Sequence, residues 1–479
     1  MSQKWDFFSG SLSILRQTGL VGIFLCLHST YDLGETLPGA QPPPKRRSMS
    51  TQANSRPNIV VIICDDIGFG DLSCNGSTMI KTPNLDLVAR RGARLTSMYS
   101  GGPTCTPARA ALMTGRIAPR TGAARVLFPG DNRGMRENEI TMGAYLKGLG
   151  YATGCFGKWH LGDIPDSGPL KFGFDRYFGL PYSNDMDPMI VYRDEEAVEE
   201  PADVASLAMR CANEAIEFID KTPTDQPFFV YFPFTSPHHP ITPEEKFIGT
   251  SEAGLYGDTC EAIDFYSGEL YKHIQSRGQI ENTIFVFTSD HGPWWEGSNG
   301  GLRGRKFETW DGGMRVPFLI SWPAMIPEGQ VITQPVATMD LLPTLCNLLE
   351  IQPDSSMPFD GEDISDLFLK GSLTDHGPIW YFDAFSLNAV RKGKWKLHRK
   401  RQTWGGEKFS QWSLPQLFDL ERDPGECYDL GARHPEVVKE LNELMEKFEG
   451  SLNLQDADDR EWWKGSTLGD AAGWNVQKV

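Results

Sequence analysis

No apolar run in this 479-residue chain approaches the ~20 residues that a membrane-crossing helix needs. The run Leu20-Val-Gly-Ile-Phe-Leu-Cys-Leu27 stops well short, and no long apolar hairpin follows that could embed in a bilayer, so no transmembrane anchor is expected. Positive charge is scarce as well: Lys and Arg number 46 against 63 Asp and Glu, a formal net charge of −17. A nucleic-acid partner needs a basic face, and no segment here supplies one. A small anionic substrate is not excluded, because a pocket can be locally positive inside an acidic protein. Cysteine is thin: nine in a chain this long do not make the disulfide framework of small secreted domains. Setting aside Cys26 in the leader and Cys105 leaves seven, an odd number that keeps at least one further thiol free.

What is present is globular: 40% hydrophobic and 23% charged residues. At about 100 to 200 residues per domain, the length suits one large domain and a smaller one. Lys4 and Arg16 ahead of the short apolar run read as a signal peptide with a long polar front, against a disordered leader or a start upstream of the true one. The secretory pathway is therefore the expected location. QPPPKRRSMSTQANSR, residues 41–56, reads as a flexible linker, so residues 1–56 are leader and linker and the folded body begins near Pro57. One glycosylation sequon, Asn75-Gly76-Ser77, is compatible with secretion.

The body repeats one pattern, an apolar run that ends in polar residues and is followed by a helix-like segment. Ile59–Cys64, Phe228–Phe232 and Thr283–Thr288 are apolar without alternation, as strands buried on both faces of a parallel sheet are. Helical spacing lies between them, over Ala205–Asp220 and Glu261–Arg277. This predicts an α/β sandwich around a large, mainly parallel sheet over residues 57–376. Residues 377–450 read as a smaller unit with an antiparallel sheet and a helix from Pro435 to Phe448, followed by a tail, 451–479.

In open α/β sheets the ligand site lies beyond the carboxyl ends of the strands, so the polar tails of the three runs should meet. Those tails are Asp65-Asp66, His238-His239 and Asp290-His291. Adjacent carboxylates at a buried strand end repel unless a cation is present, and a helix cap explains one of them better than two. Oxygen ligands suit Ca²⁺ or Mg²⁺, whereas a histidine leans toward a softer metal. In GYATGCFGKWHLG, Lys158 and His160 fall on one side of an extended segment while Trp159 packs on the other. Lys306 sits in a glycine-rich loop that allows close backbone approach. Cys105, in GGPTCTPARAALMTGR, opens an alanine-rich helix; taken alone it could equally be a core thiol or half a disulfide. Together these groups suit a tetrahedral oxyanion.

The C-T-P-A-R and GYATGCFGKWHLG segments, in this order, resemble the type I, formylglycine-dependent sulfatases of the alkaline-phosphatase-like superfamily, the group of arylsulfatase A and N-acetylgalactosamine-6-sulfatase. RPNIVVIICDDIGFGDLSC, FTSDHGP, KFETWDGGMRVP and LFDLERDPGECYDL look like further blocks, and the resemblance runs from about Pro57 to Phe448. It implies a sulfate-ester hydrolase of sulfated carbohydrates or aryl sulfates, with Cys105 oxidised to formylglycine by a dedicated formylglycine-generating enzyme. Pro107 and Arg109 fit the pattern read by that enzyme, while Ala108 replaces the commoner serine. The resemblance further implies Asp65, Asp66, Asp290, His291 and the modified Cys105 as Ca²⁺ ligands, and Arg109 as anchor of the modified residue. Lys158, Lys306, His238 and Ser183 are implied as substrate contacts, with His160 assisting turnover and His238 or Lys306 protonating the leaving alcohol. The geminal diol of the hydrated aldehyde would attack sulfur and form a covalent sulfo-enzyme intermediate. A phosphonate or phosphate ester hydrolase of the same superfamily and a non-catalytic binder of sulfated glycans are the competing readings.

Overall fold

Ile59, Val60, Val61, Ile62 and Ile63 have neither alternation nor a polar side chain to offer solvent, and in the computed structural model they lie at the centre of a large sheet. The structure describes residues 56–131, 134–373, 375–400 and 414–452, which fall in one compact unit beginning at Asn54. The expected leader and nearly all of the expected linker and C-terminal tail lie outside the described residues.

The strands are β1 (Asn58–Asp65), β2 (Ala93–Tyr99), β3 (Ala152–Phe156), β4 (Arg176–Gly179), β5 (Val191–Arg193) and β6 (Glu196–Glu199). They continue as β7 (Phe228–Pro237), β8 (Thr283–Ser289), β9 (Arg315–Ser321), β10 (Gln330–Ile332) and β11 (Val336–Ala337). Their order in the sheet is β10-β2-β9-β8-β1-β7-β3-β4-β5-β6, with β11 also beside β2. The three apolar runs are thus the adjacent strands β8, β1 and β7, all parallel, in register from Ile59 beside Phe229 and Ile284. Antiparallel pairs flank this centre, at β8–β9, β2–β9 and the β4–β5–β6 edge. Strands β5 and β6, within residues 185–201, form the far edge of the sheet.

Both faces of the centre are covered, and the two-residue period of the strand sorts its side chains between two cores. Ile59, Val61 and Ile63 join one core with Leu112 and Met113 of the helix Cys105–Thr114 and Leu342 and Leu345 of the helix Leu341–Leu348. Val60, Ile62 and Cys64 join the other with Leu207 and Ile219 of the helix Val204–Lys221 and Ile263 and Leu270 of the helix Gly254–Ser276. Each fully buried Ile or Val contributes roughly 1.5–3 kcal/mol. After Asn58 at its start, β1 is apolar up to Cys64, so its acids emerge only at the sheet's carboxyl edge.

A separate antiparallel sheet follows: β12 (Ile379–Asp383), β13 (Ser386–Lys392), β14 (Trp395–His398) and β15 (Gln416–Asp419), in that order. The helix Pro435–Ser451 packs on it, Phe448 stacking on Trp380 at 3.8 Å between ring centres. This small sheet touches the large body through Ala111, Ile117 and Met339, which share a core with Leu387, Val390 and Leu417.

The eight cysteines among the described residues are all free, more than the one further thiol expected from their odd number. Asn75 is hydrogen-bonded at both ends of its amide, donating to the Phe69 carbonyl at 2.9 Å and accepting from Arg94 at 3.1 Å, which leaves the sequon engaged in the fold. No helix among the described residues is long and apolar enough to cross a membrane.

Candidate active site

The carboxyl ends of β8, β1 and β7 bring Asp290-His291, Asp65-Asp66 and His238 together. Asp290 donates its backbone N–H to the Cys64 carbonyl at 3.0 Å, which locks the ends of β1 and β8 side by side. Cys105 enters from the first turn of its helix, whose ten residues are all buried. That helix forms because alanines fill its interior, Pro107 in the first turn loses no hydrogen bond, and Gly115 at φ +67° closes it by donating to the Ala111 carbonyl. The Cys105 thiol lies 3.3 Å from Asp65 Oδ1 and 3.5 Å from His291 Nε2.

Three cations face three carboxylates. Arg109, one helical turn past Cys105, donates from Nε and Nη2 to Asp290 Oδ2 at 3.2 and 3.0 Å and from Nη1 to the Lys158 carbonyl at 2.8 Å. Its Nη2 also stands 3.7 Å from Asp65 Oδ2, so the guanidinium ties together carboxylates rather than bonding the thiol. Lys158 donates to Asp65 Oδ2. Lys306 bridges both Asp66 oxygens at 2.8 and 3.0 Å. Burial pushes the Asp65 carboxyl up, yet Lys158, His238, Arg109 and Lys306 outweigh it and hold it well below its usual range. Asp66 is likewise held down by Lys306, His238 and His291 against its burial. Asp290 goes the other way, since burial beside Asp65 exceeds the pull of His291 and Arg109. Burial, then Asp65, raises the Cys105 thiol far above the ordinary range.

Two of the histidines at the site, His160 and His238, are held below their ordinary range. His160 is lowered by burial and by Lys158; its Nε2 meets the Leu127 carbonyl at 2.9 Å, and its buried Nδ1 has no partner among the described residues. His238 is lowered by burial and then Lys306, while its Nδ1 faces the His239 carbonyl at 2.7 Å and Ser183 Oγ at 3.4 Å. Lys158 and His160 both reach the site, though by a loop and not a strand, with His160 at φ +58°. Trp159 packs away from them, against Phe172 and Phe174. Asp66 at φ +75° and Phe307 at φ +72° complete a set of left-handed, non-glycine residues clustered at this site, as expected where geometry is imposed for a purpose.

Asp65, Asp290, His291 and Cys105 form one group of ligand atoms within 4.8 Å of one another, and Asp65, Asp66 and His238 form a second. Carboxylate-rich donors at this density fit a hard divalent cation. Every residue singled out from the sequence is therefore at this one place. A cavity of about 200 Å³ opens above it, with Asp66, Cys105, His160, Ser183, His238 and Lys306 at its base. Its walls are Val126, Phe128, Asp185, Met186, His239, Trp294 and Phe307. Val126 and Phe128 come from one loop, and Asp185 and Met186 from another. Trp294 and Phe307 went unread, although the Trp294-Trp295 pair directly after a strand-end motif is the signal that marks them.

A family model described as Sulfatase matches residues 57–351, and a second, the C-terminal region of aryl-sulfatase, matches residues 374–464. The chain belongs to the sulfatase family. Among its relatives, mouse N-acetylgalactosamine-6-sulfatase is 36% identical over 468 residues, covering 85% of this sulfatase and 90% of the mouse protein. Human arylsulfatase A is 33% identical, covering 81% and 87% of the two chains. The crystal structure of PsFucS1, a sulfatase from Pseudoalteromonas sp., superposes with a TM-score of 0.76 at 28% identity, covering 84% and 92%. The fold of this sulfatase is accordingly the alkaline-phosphatase-like one, a mixed sheet between helical layers with a small antiparallel sheet appended.

Proposed function

We propose that this sulfatase hydrolyses sulfate monoesters with a formylglycine derived from Cys105, held beside a Ca²⁺ ion. Membership of the family carries sulfate-ester hydrolysis itself. The observation supporting the finer reading is the placement of Cys105, at the base of the cavity, between a carboxylate cluster and the cationic groups Lys158, Lys306 and Arg109. Asp65, Asp66, Asp290 and His291 would hold the ion, which would polarise the reacting oxygens. The hydrated aldehyde would supply a nucleophile whose second hydroxyl allows the sulfated intermediate to collapse, which a serine could not do.

The chain's own side chains then divide the work. Three carboxylates against Arg109, Lys158 and Lys306 sum to zero, so a divalent cation would be balanced by the monoanionic sulfate ester together with one ionised hydroxyl of the hydrated aldehyde, leaving no net charge in a dry site. Lys158 and Lys306 would turn from Asp65 and Asp66 toward the sulfuryl oxygens and offset charge building there. His238, neutral by burial, faces the cavity beside Ser183 and Lys306, and Lys306 or the protonated form of His238 would deliver the proton to the leaving alcohol. His160 holds its Nε2 on the Leu127 carbonyl, which leaves Nδ1 for the turnover step. The relatives' names make 6-O-sulfated N-acetylgalactosamine the first sugar to offer, beside an aryl sulfate.

The peptide carrying Cys105 should weigh about 18 Da less than its thiol form in active enzyme, as conversion to the aldehyde requires. Cys105→Ala should abolish turnover and keep the melting temperature close to that of the parent. Full activity with an intact thiol would refute the mechanism. A larger kcat/KM on an aryl phosphate than on the matching sulfate would instead make the enzyme a phosphate ester hydrolase.

A further inference from the structure

Lys306 lies far along the chain from the small antiparallel sheet, yet the loop that carries it is gripped by that part of the molecule. The loop leaves Arg303 and returns at Asp311, and Gly312 donates to the Arg303 carbonyl at 2.6 Å to close it. Both ends meet the same residue. Arg303 Nη1 donates to the Glu426 carbonyl at 2.7 Å, and the Asp311 N–H donates to Glu426 Oε2 at 2.7 Å.

Glu426 is itself fixed. It is fully buried at φ +51°, and its Oε1 accepts from Lys396 and meets His398 Nε2, each at 2.9 Å. Lys396 reaches on to Asp311 Oδ1 at 2.8 Å, so the contact from Glu426 to the loop is doubled through a second side chain. The His398 ring lies against Trp310 at 4.1 Å, and the Arg303 guanidinium lies over the Trp310 ring at 3.8 Å. Between these ends Lys306 donates its N–H to the Pro293 carbonyl at 3.1 Å and Phe307 to the Pro103 carbonyl at 2.9 Å, two residues before Cys105.

From this geometry we infer that Glu426 is a positioning residue for Lys306, holding both ends of its loop so that the ammonium stands over Asp66 and the cavity. The inference rests on Lys306 binding the sulfate group. Adhesion between the two parts of the molecule does not explain the arrangement, because the shared apolar core of Ala111, Ile117 and Met339 with Leu387, Val390 and Leu417 already joins them. So do Tyr381 and Lys396 on Asp311, without touching Glu426 in the first case.

A double-mutant cycle tests the inference. Glu426→Ala and Arg303→Gln are each made alone and together with Lys306→Ala. Two quantities are read: kcat/KM on an aryl sulfate, and the Kd of inorganic sulfate by calorimetry in the Cys105→Ala background with Ca²⁺ supplied. With Lys306 present, each change should weaken both by about 10-fold; with Lys306→Ala the further loss should be under about 2-fold. Equal losses in both backgrounds would overturn the inference, as would a lowered melting temperature with sulfate binding unchanged. Should Glu426→Ala fail to fold, Arg303→Gln, at a half-buried position, decides the matter. Sulfate binding and turnover that ignore Lys306→Ala would overturn the role of the lysine, and the positioning of it as well.

Discussion

Arg109 is a fully buried guanidinium that touches two carboxylates and one carbonyl, so it has no solvent to fall back on. Such a residue is worth more by its removal than by its presence. Taking out one partner of a buried ion pair strands the other charge and typically costs about 3–5 kcal/mol. Arg109→Met, measured in chelator so that no divalent ion compensates Asp65 and Asp290, should lower the unfolding free energy by about that amount in a urea titration. Arg109→Lys should recover part of it, because the charge returns but the fork that reaches Asp290 through two nitrogens does not. A midpoint unchanged by Arg109→Met would mean the acids titrate away their charge instead. Adding Ca²⁺ should raise the midpoint of the parent, since binding to the folded form alone stabilises it by mass action.

At the scale of elements, the site depends on how closely loops can approach the ends of β1 and β7. Gly157 lies between β3 and Lys158 at φ +137°, and a Cβ there would stand 1.8 Å from the Pro233 carbonyl oxygen of β7. The same approach allows Lys158 to donate its N–H to that carbonyl at 2.8 Å. Gly157→Ala should therefore destabilise by well over the ~1 kcal/mol of an ordinary glycine replacement and also lower kcat/KM, because the strand and Lys158 must separate. An unaltered melting temperature together with unaltered turnover would count against this account. The three central strands were legible because burial on both faces forces runs without alternation, and their polar ends follow from the sheet's direction. The edge strands β5 and β6 were not, since VYR and EAVE are short and mixed in polarity. Lys158 and His160 were found by motif, while the left-handed turn that aims His160 leaves no mark in residue type. Glu426 was invisible as well: its partners Arg303, Asp311, Lys396 and His398 are scattered, and only the packing of the small sheet on the body unites them.

Across the whole molecule, acidic groups of opposite behaviour are buried together, which makes the response to pH a sum of contrary parts. Burial raises Asp71 to about 6, even though Tyr256, Ser298 and Gly68 donate to it. Asp264 is raised to about 6 by burial against the donors Leu85 and Asn84, and Glu426 to about 7 by burial against Lys396. Asp311 is held at about 2, because Lys396 and Arg391 overcome its burial. A carboxyl raised above its unfolded value of about 3.9 adds stability below that pH and loses it as the pH climbs through the folded value. A depressed one contributes above about 3.9 and loses its share only as the pH falls toward 2. From about pH 4 to 6 Asp71 and Asp264 lose protons that the fold favours, and Glu426 does so over the same range. Replacing only the first two isolates their share by subtraction, because Glu426 and Asp311 act alike in parent and variant. Asn in their place cannot ionise, so any change in packing or hydrogen bonding enters as a constant offset. The melting temperature of an Asp71→Asn, Asp264→Asn variant, minus that of the parent in saturating Ca²⁺, should rise from pH 4 to pH 6 and level off above about pH 7. A difference that stays flat, or falls, over this range would show that the two carboxyls are not held protonated by the fold.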